Sequence, residues 1–502
     1  IFAVEPGARP DRSNVVASGL AGGNSITTVT GNGVIRRDQV GRAWAGTALI
    51  AGNDGANALV TSAAPGDTPT VLHSRGQAQT TVLERGVFVQ TADRCTLTAP
   101  KGRPVTVGRG QCNVSDDERW VASWPADGGR LTVRDLRSNQ RSVVARNVRV
   151  ATTGVALSRD ARVLVDEAAT VGTARLALVD ATSGEVVRRS RAVRQVGRID
   201  PKSEGAPGFA VTVQSGDETE LWFVDTDGGV TVIDRGPAIL VVSTRGAITY
   251  IRYNAFLSSG TVVRRTDDGG RQVLLRGRVG GGPAGAEHVV LTRETRRGVE
   301  FWSTESAGGT VERLVTVPPP AGASPDGNDL GAVIQEFLTI GDVAWLTLTT
   351  GQNMSLVRLH LAEGHGRAVL ANRAFVALNA VDTDGTALVT AAARPGNRQG
   401  VEMLSIRATA DRPTVRLRLD QPIAALIHDD VVYFASSDGD TPIVNQIPAR
   451  SDAATVLYRN VQLAGSLWPN SGGATTSTLV TPGLLAQQAQ QRMGAGGQAA
   501  GG

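Results

Sequence analysis

The sequence predicts an all-β fold built from four-stranded units of roughly forty residues, and three observations carry that prediction. Short apolar or alternating runs recur along the chain at near-regular spacing. Turn-forming residues separate them, with 60 Gly and 22 Pro among 502 residues. Val and Thr crowd the runs, as β-branched side chains do on a pleated surface.

The clearest unit reads Arg119-Trp120-Val121-Ala122-Ser123-Trp124, a gap, then Leu131-Thr132-Val133-Arg134-Asp135-Leu136, a turn at Ser138-Asn139, and Ser142-Val143-Val144-Ala145. The next reads Arg162–Val165, Leu176–Asp180, a turn at Thr182-Ser183-Gly184, and Glu185–Arg188. A third runs Phe209–Val213, Leu221–Asp225, Asp227-Gly228-Gly229 and Val230–Ile233. Taking Leu131, Leu176, Leu221, Val262, Phe301, Leu356, Met403 and Ile443 as equivalent positions, the successive separations are 45, 45, 41, 39, 55, 47 and 40. Four-stranded propeller blades repeat at about 40–45 residues. The long step contains Pro318-Pro319-Pro320-Ala321-Gly322 and reads as an inserted loop. Two weaker copies lie upstream, at Ala58-Leu59-Val60 and Thr96-Leu97, so eight units are clear and ten are the most the pattern allows.

Alternation puts one face of each strand into a core, and Gly or Asp turns fold adjacent strands into hairpins. A lone four-stranded sheet cannot cover both its faces. Stacking such sheets in series covers them and leaves only short edges. The fold expected is a single large β-propeller.

Several turns open with a polar residue and Asp before an apolar strand: Ser115-Asp116-Asp117, Ser158-Arg159-Asp160 and Thr383-Asp384-Gly385. Side chains of this kind bond their own backbone and start turns. With the hairpins, they resemble the repeat of TolB-type and WD-repeat-like propellers of exported bacterial proteins, over residues 42–461. The resemblance implies a propeller that serves as a binding platform, and it transfers no functional residue.

The domain reading follows. Residues 1–41 form an N-terminal segment whose first part is read as a ring-closing strand, 42–467 the propeller, and 468–502 a Ser/Gly/Gln-rich tail or linker. A short helix is expected at 484–493 from propensity, and a missing neighbouring domain or anchor would follow the linker. Position 1 is Ile, so the chain reads as processed or as a fragment.

Net charge is +4, and of the 51 basic residues only Lys101 and Lys202 are lysine. Arginine's planar fork suits phosphate, but the codon supply of a GC-rich genome explains Arg, Ala, Gly and Val together and is favoured. Nucleic-acid binding wants a basic stripe with interleaved aromatics. Here Arg alternates with Asp and Glu and aromatics are 4%. Nucleic acid is not the expected partner. No run of about 18 apolar residues exists, so no transmembrane segment is expected.

Cys95 and Cys112 are the only thiols. Paired, they close a loop worth about 3 kcal/mol. Unpaired, they are two small buried hydrophobes. The disulfide is favoured, consistent with an extracytoplasmic or secreted location.

No catalytic motif emerges. His360-Leu361-Ala362-Glu363-Gly364-His365 holds two histidines and a carboxylate, but the spacing is wrong for one helical turn, and the segment reads as a hairpin turn with no metal. His428-Asp429-Asp430 has the residue types of an oriented base, yet sits where other units carry their turn Asp. The acidic pairs Asp116-Asp117 and Asp267-Asp268 are read as turns also. Gly280–Gly285 lacks the Lys-Ser/Thr of a phosphate cradle and reads as a linker. The segment Ala177–Val186 looks like one blade of a quinone-binding propeller, but no other unit keeps that form, so no cofactor is expected. The seven tryptophans fall mostly in strands, where packing accounts for them.

The function expected is a non-enzymatic binding or scaffold module of the cell envelope, taking a protein partner where blade loops converge. The alternatives are a propeller enzyme acting on a glycan or peptide, and a structural subunit of a surface assembly.

Overall fold

In a computed structural model the chain is all-β, and its sheets are propeller blades. The structure describes backbone elements between residues 2 and 479 and side chains from 83 onward. Outside the described residues lie 7–12, 18–26, 62–69, 202–207, 254–258, 320–330, 393–399, 464–474, 480–502 and shorter stretches. The inserted loop after Pro319, the tail helix at 484–493, Trp44 and Trp468 therefore fall outside them.

Nine antiparallel sheets are present among the described residues, and two of them have seven strands. Each seven-stranded sheet is two blades sharing one long strand. Ser142–Leu157 pairs with Gly129–Asp135 through its first half and with Arg162–Thr170 through its second. Arg271–Ala284 bridges Gly260–Thr266 and His288–Thr295 in the same way. Counted so, the described strands make eleven blades, numbered here in chain order from the N-terminus.

All ten positions picked from the sequence fall on the third strand of a blade, from Asn57–Thr61 in blade 2 to Thr441–Ile447 in blade 11. The equivalence goes deeper than spacing. In blades 6 to 10, Leu221, Val262, Phe301, Leu356 and Met403 each stand immediately before a register shift against the fourth strand. A bulge there bends and twists the outer strand, which blunts an otherwise open edge.

Burial follows strand order. Second strands are covered on both faces: every residue of Trp120–Trp124 and of Ala387–Ala392 is buried. Fourth strands lie outermost, and the exposed valines Val105, Val187, Val230, Val273, Val415 and Val456 all belong to them. Arginines interrupt these outer strands, as at Arg188-Arg189 and Arg418, and charge on an edge discourages pairing with another chain.

The chain divides into two compact units. One comprises residues 1–235, 434–445 and 455–469. The other comprises 236–433, 446–454 and 470–502. Blade 11, residues 425–459, supplies residues to both.

In the first unit, blade 1 brings together strands far apart in the sequence. Phe2–Pro6, Ser13–Ala17 and Thr27–Thr28 form three strands, and Gln462–Leu463 adds the fourth by pairing with Ala3–Val4. The cores of this unit lie between blades. Trp120, Leu131 and Val133 of blade 4 pack with Val163, Val165 and Val179 of blade 5. Leu164, Leu176 and Leu178 meet Phe209, Val211 and Trp222 of blade 6. A disulfide joins Cys95, on the third strand of blade 3, to Cys112, on the first strand of blade 4. It staples two blades rather than the ends of one hairpin.

The second unit repeats the scheme. Phe301 and Val299 of blade 8 pack with Phe337, Leu346 and Val357 of blade 9, and Leu479 is buried in the same cluster. Thr475–Thr476 pairs with Leu338–Thr339, so this piece of the segment read as a tail is docked on a sheet. Blades 9 and 10 join through Trp345, Leu356, Val376 and Leu404.

The run Gly280-Gly281-Gly282-Pro283, read from sequence as a linker, is the first strand of blade 8, paired to Val289–Thr292. Its glycines reflect close packing: a Cβ on Gly281 would stand 2.8 Å from Leu291 Cδ2 and 2.9 Å from the Val290 carbonyl oxygen. Turn-rich, strand-poor composition concealed a strand in which Gly281 has no room for a side chain.

Buried arginines cross from blade to blade. Arg264, on the third strand of blade 7, is 1% exposed and donates to the Glu305 carbonyl (2.6 Å), Thr304 Oγ1 (2.7 Å) and the Gly309 carbonyl (3.1 Å) in the last hairpin of blade 8. Arg358, on the third strand of blade 9, donates to the Arg407 and Ala410 carbonyls of blade 10 at 2.9 and 2.6 Å. Arg416 reaches the carbonyls of Asp430, Ile447 and Pro448. A guanidinium serves several turn carbonyls at once, where an ammonium offers a single charged point.

Glu336 links blades 9 and 10 with a carboxylate. Its Oε2 accepts from the Leu378 backbone N–H (2.9 Å) and from Thr347 Oγ1 (3.2 Å). Burial raises its pKa, and these two bonds offset that only in part. A raised carboxyl pKa favours the folded state below the unfolded value of about 4.3, and this contribution is lost as pH rises through the folded value. Glu336→Gln is therefore expected to flatten the decline of stability across that window, as read from urea midpoints measured at several pH values. An unchanged pH profile would remove Glu336 from the account.

Candidate functional site

Within the second unit, one end of blades 8 to 10 gathers most of the chain's histidine. In an antiparallel four-stranded blade, the turn from strand 1 to 2 and the turn from strand 3 to 4 leave at the same end. In blade 9 these turns touch: the Leu361 N–H donates to the Asp342 carbonyl at 2.8 Å. In blade 8, Ser306 N–H donates to the Glu287 carbonyl at 2.7 Å in the matching place. His288, His360 and His365 stand at this end, three of the five histidines in the sequence, and His428 ends the first strand of blade 11.

The tightest grouping is the hairpin the sequence singled out. His360 ends the strand Asn353–His360, and His365 begins His365–Arg373. Antiparallel register sets the two directly opposite each other, with ring centroids 4.5 Å apart. Glu363 Oε2 lies 2.7 Å from His365 Nε2. Ligand atoms of His360, Glu363 and His365 all fall within 4.8 Å of one another. Helical spacing was the wrong test: across a four-residue turn, positions five apart face each other.

The three differ in environment. Glu363 and His365 are exposed, while His360 is buried and hydrogen-bonded to the backbone of Ala408 in the last hairpin of blade 10. Burial, then the charges of Arg358 and His365, hold the His360 pKa below the ordinary imidazole value, against a smaller opposing pull from Glu363. Gly364 takes a left-handed φ of +69°, and a Cβ there would come 2.5 Å from Glu312 Oε2. The carboxylate of Glu312, from the outer strand of blade 8, thus stands over the turn. Next to it, His288 Nε2 approaches Asp342 Oδ1 at 3.8 Å across the two blades.

The other residues picked from sequence are turns, or lie outside the described residues. Asp430 is tied down: its N–H donates to Asp382 Oδ2 (3.1 Å), and its carboxylate meets Arg407 (3.2 Å) and Arg416 (3.8 Å). The His428 side chain, Asp429 and the pair Asp116-Asp117 are outside the described residues. Asp268 Oδ1 accepts from Gly270 N–H at 3.0 Å within its own turn. In the Asp180 turn, burial opposes ionisation, and bonds from Thr182, Ser183 and Arg162 outweigh it to set the carboxyl at about 2. Trp222 and Trp345 are fully buried, and the Trp222 indole N–H donates to Glu220 (2.7 Å) beneath Arg191.

The blades place the chain in the class of β-propeller proteins. No protein-family model and no curated protein matches it. Among solved structures it is similar to the tricorn protease, with 10% identity, 82% of this chain and 47% of that one covered, and a TM-score of 0.32. It is similar to TolB from Acinetobacter baumannii, with 12% identity, coverage of 65% and 82%, and a TM-score of 0.24. It is also similar to the β-propeller domain of the Trilobed protease from Pyrococcus furiosus, with 11% identity, coverage of 62% and 99%, and a TM-score of 0.31. The chain spans about half the length of the tricorn protease it matches. These are likenesses of fold. Among the described residues, no helix is long and apolar enough to cross a membrane.

Proposed function

We propose that this chain is a non-enzymatic binding or scaffold propeller of an exported or cell-envelope protein, and that it engages a protein partner. The observation that carries the reading is the turn end of blades 8 to 10. Exposed Glu287, Asp342, Glu363 and His365 project there from short turns, on blades cross-braced by Arg264 and Arg358. Polar groups held by a rigid framework bind with little loss of freedom. The Cys95–Cys112 disulfide supports an oxidising compartment.

The test is affinity capture from a native cell envelope, with the purified chain and a Glu287→Lys/Asp342→Lys variant as parallel baits. One stoichiometric protein held by the unaltered chain and lost by the variant is the expected result. Equal capture by both baits would move the binding surface elsewhere. No partner, together with turnover in a glycan and peptide substrate screen, would overturn the reading in favour of an enzyme.

A further inference from the structure

We propose that His360, Glu363 and His365 form a binding site for a divalent transition-metal ion of the Zn2+ kind. The inference rests on the hairpin alone and holds whether or not the turn end binds a protein.

The donor set comes first. Two imidazoles and one carboxylate are borderline ligands that suit Zn2+ and its neighbours in the first transition row, and suit Ca2+ or Mg2+ poorly. Three protein ligands with the remaining positions left to water is the pattern of an open zinc site. The geometry comes next. Zn–N and Zn–O bonds of about 2.0–2.2 Å place neighbouring donors roughly 3.3 Å apart in a tetrahedron. The ligand atoms already lie within 4.8 Å of one another, and the Glu363–His365 pair is at 2.7 Å. Rotation of exposed side chains closes what remains, since Glu363 and His365 are both more than half exposed.

The buried member is the fixed one. A ring nitrogen of His360 meets the backbone of Ala408, which orients the ring. Ligating histidines are usually oriented in this way, through their second nitrogen. The surrounding charge is mixed. Arg358 lies two residues from His360, but its guanidinium is turned onto the Arg407 and Ala410 carbonyls. Glu312 stands over Gly364 and adds a second carboxylate beside the turn.

The experiment uses the full chain without a histidine tag, titrated with Zn2+ against a chromophoric chelator, and then loaded with Co2+ for its visible spectrum. Expected are one ion per chain, loss of at least about tenfold in affinity in His365→Ala and in Glu363→Gln, and a Co2+ d–d band that vanishes in His360→Ala. Because Glu363 and His365 are exposed, their variants keep the metal-free melting temperature, so lost binding cannot be lost folding. Absence of stoichiometric binding, or an affinity in all three variants equal to that of the unaltered chain, would overturn the proposal.

Discussion

Replacing Arg264 with methionine is expected to destabilise the second unit by about 3 kcal/mol or more. The reasoning counts groups left behind rather than bonds lost. Arg264 is 1% exposed and satisfies the Glu305 and Gly309 carbonyls together with Thr304 Oγ1. Methionine fills the volume of the stem but leaves those acceptors without the donor, in a place water reaches poorly. Each orphaned group costs about 1–3 kcal/mol, and relief from burying the guanidinium offsets part of the sum. Arg264→Lys keeps the charge yet offers one point where three acceptors diverge, so it is expected to recover less than half the loss. Urea titration of the three proteins reads this directly. A methionine variant within 1 kcal/mol of the parent, or a lysine variant equal to it, would show that the inter-blade contact does not matter to stability. The same replacement at Arg358 should add independently where the sites share no partner.

The second large effect falls in the other unit. Reducing Cys95–Cys112, or making Cys112→Ser, is expected to cost about 3 kcal/mol, the chain-entropy value for a loop of this size. Since the bridge runs from the third strand of blade 3 to the first strand of blade 4, the loss should appear as early opening between those blades. Hydrogen exchange would then rise first in Gly86–Gln90 and Arg94–Thr98, with Val343–Thr350 unaffected. Uniform acceleration through both units would mean that the bridge acts globally, against this account. Cys95 is fully buried, so reduction of the folded protein should be slow and should quicken in mild denaturant.

Much of the blade pattern was legible because it is local. A third strand between two turns announces itself by apolar alternation, and Leu221, Val262, Phe301, Leu356 and Met403 were found that way before their common bulge was visible. Blade 1 was only half legible. Residues 1–24 read as a closing strand, but three strands need Gln462–Leu463 to complete the sheet, and no local signal marks a pairing of that range. Gly280–Ala284 failed for the opposite reason: a strand pressed against Leu291 at Gly281 lacks there the side chains by which strands are recognised. The arginines were weighed as composition, which cannot separate a codon preference from a buried brace at Arg264 or Arg358. His360 and His365 were noticed but measured against the wrong periodicity, and their meeting depends on hairpin register, which turn length fixes.

The pairing of Ala3–Val4 with Gln462–Leu463 also sets an order of events during biosynthesis. Phe2–Pro6 must wait for Gln462–Leu463 before its open side is paired. At ordinary translation rates of about 5–20 residues per second, that wait is roughly 20 to 90 seconds. Throughout it the nascent sheet keeps one side unmatched, open to whatever strand it meets. The interval is a window in which a chaperone, a translocation channel or a second nascent copy competes for a place that Gln462–Leu463 fills later.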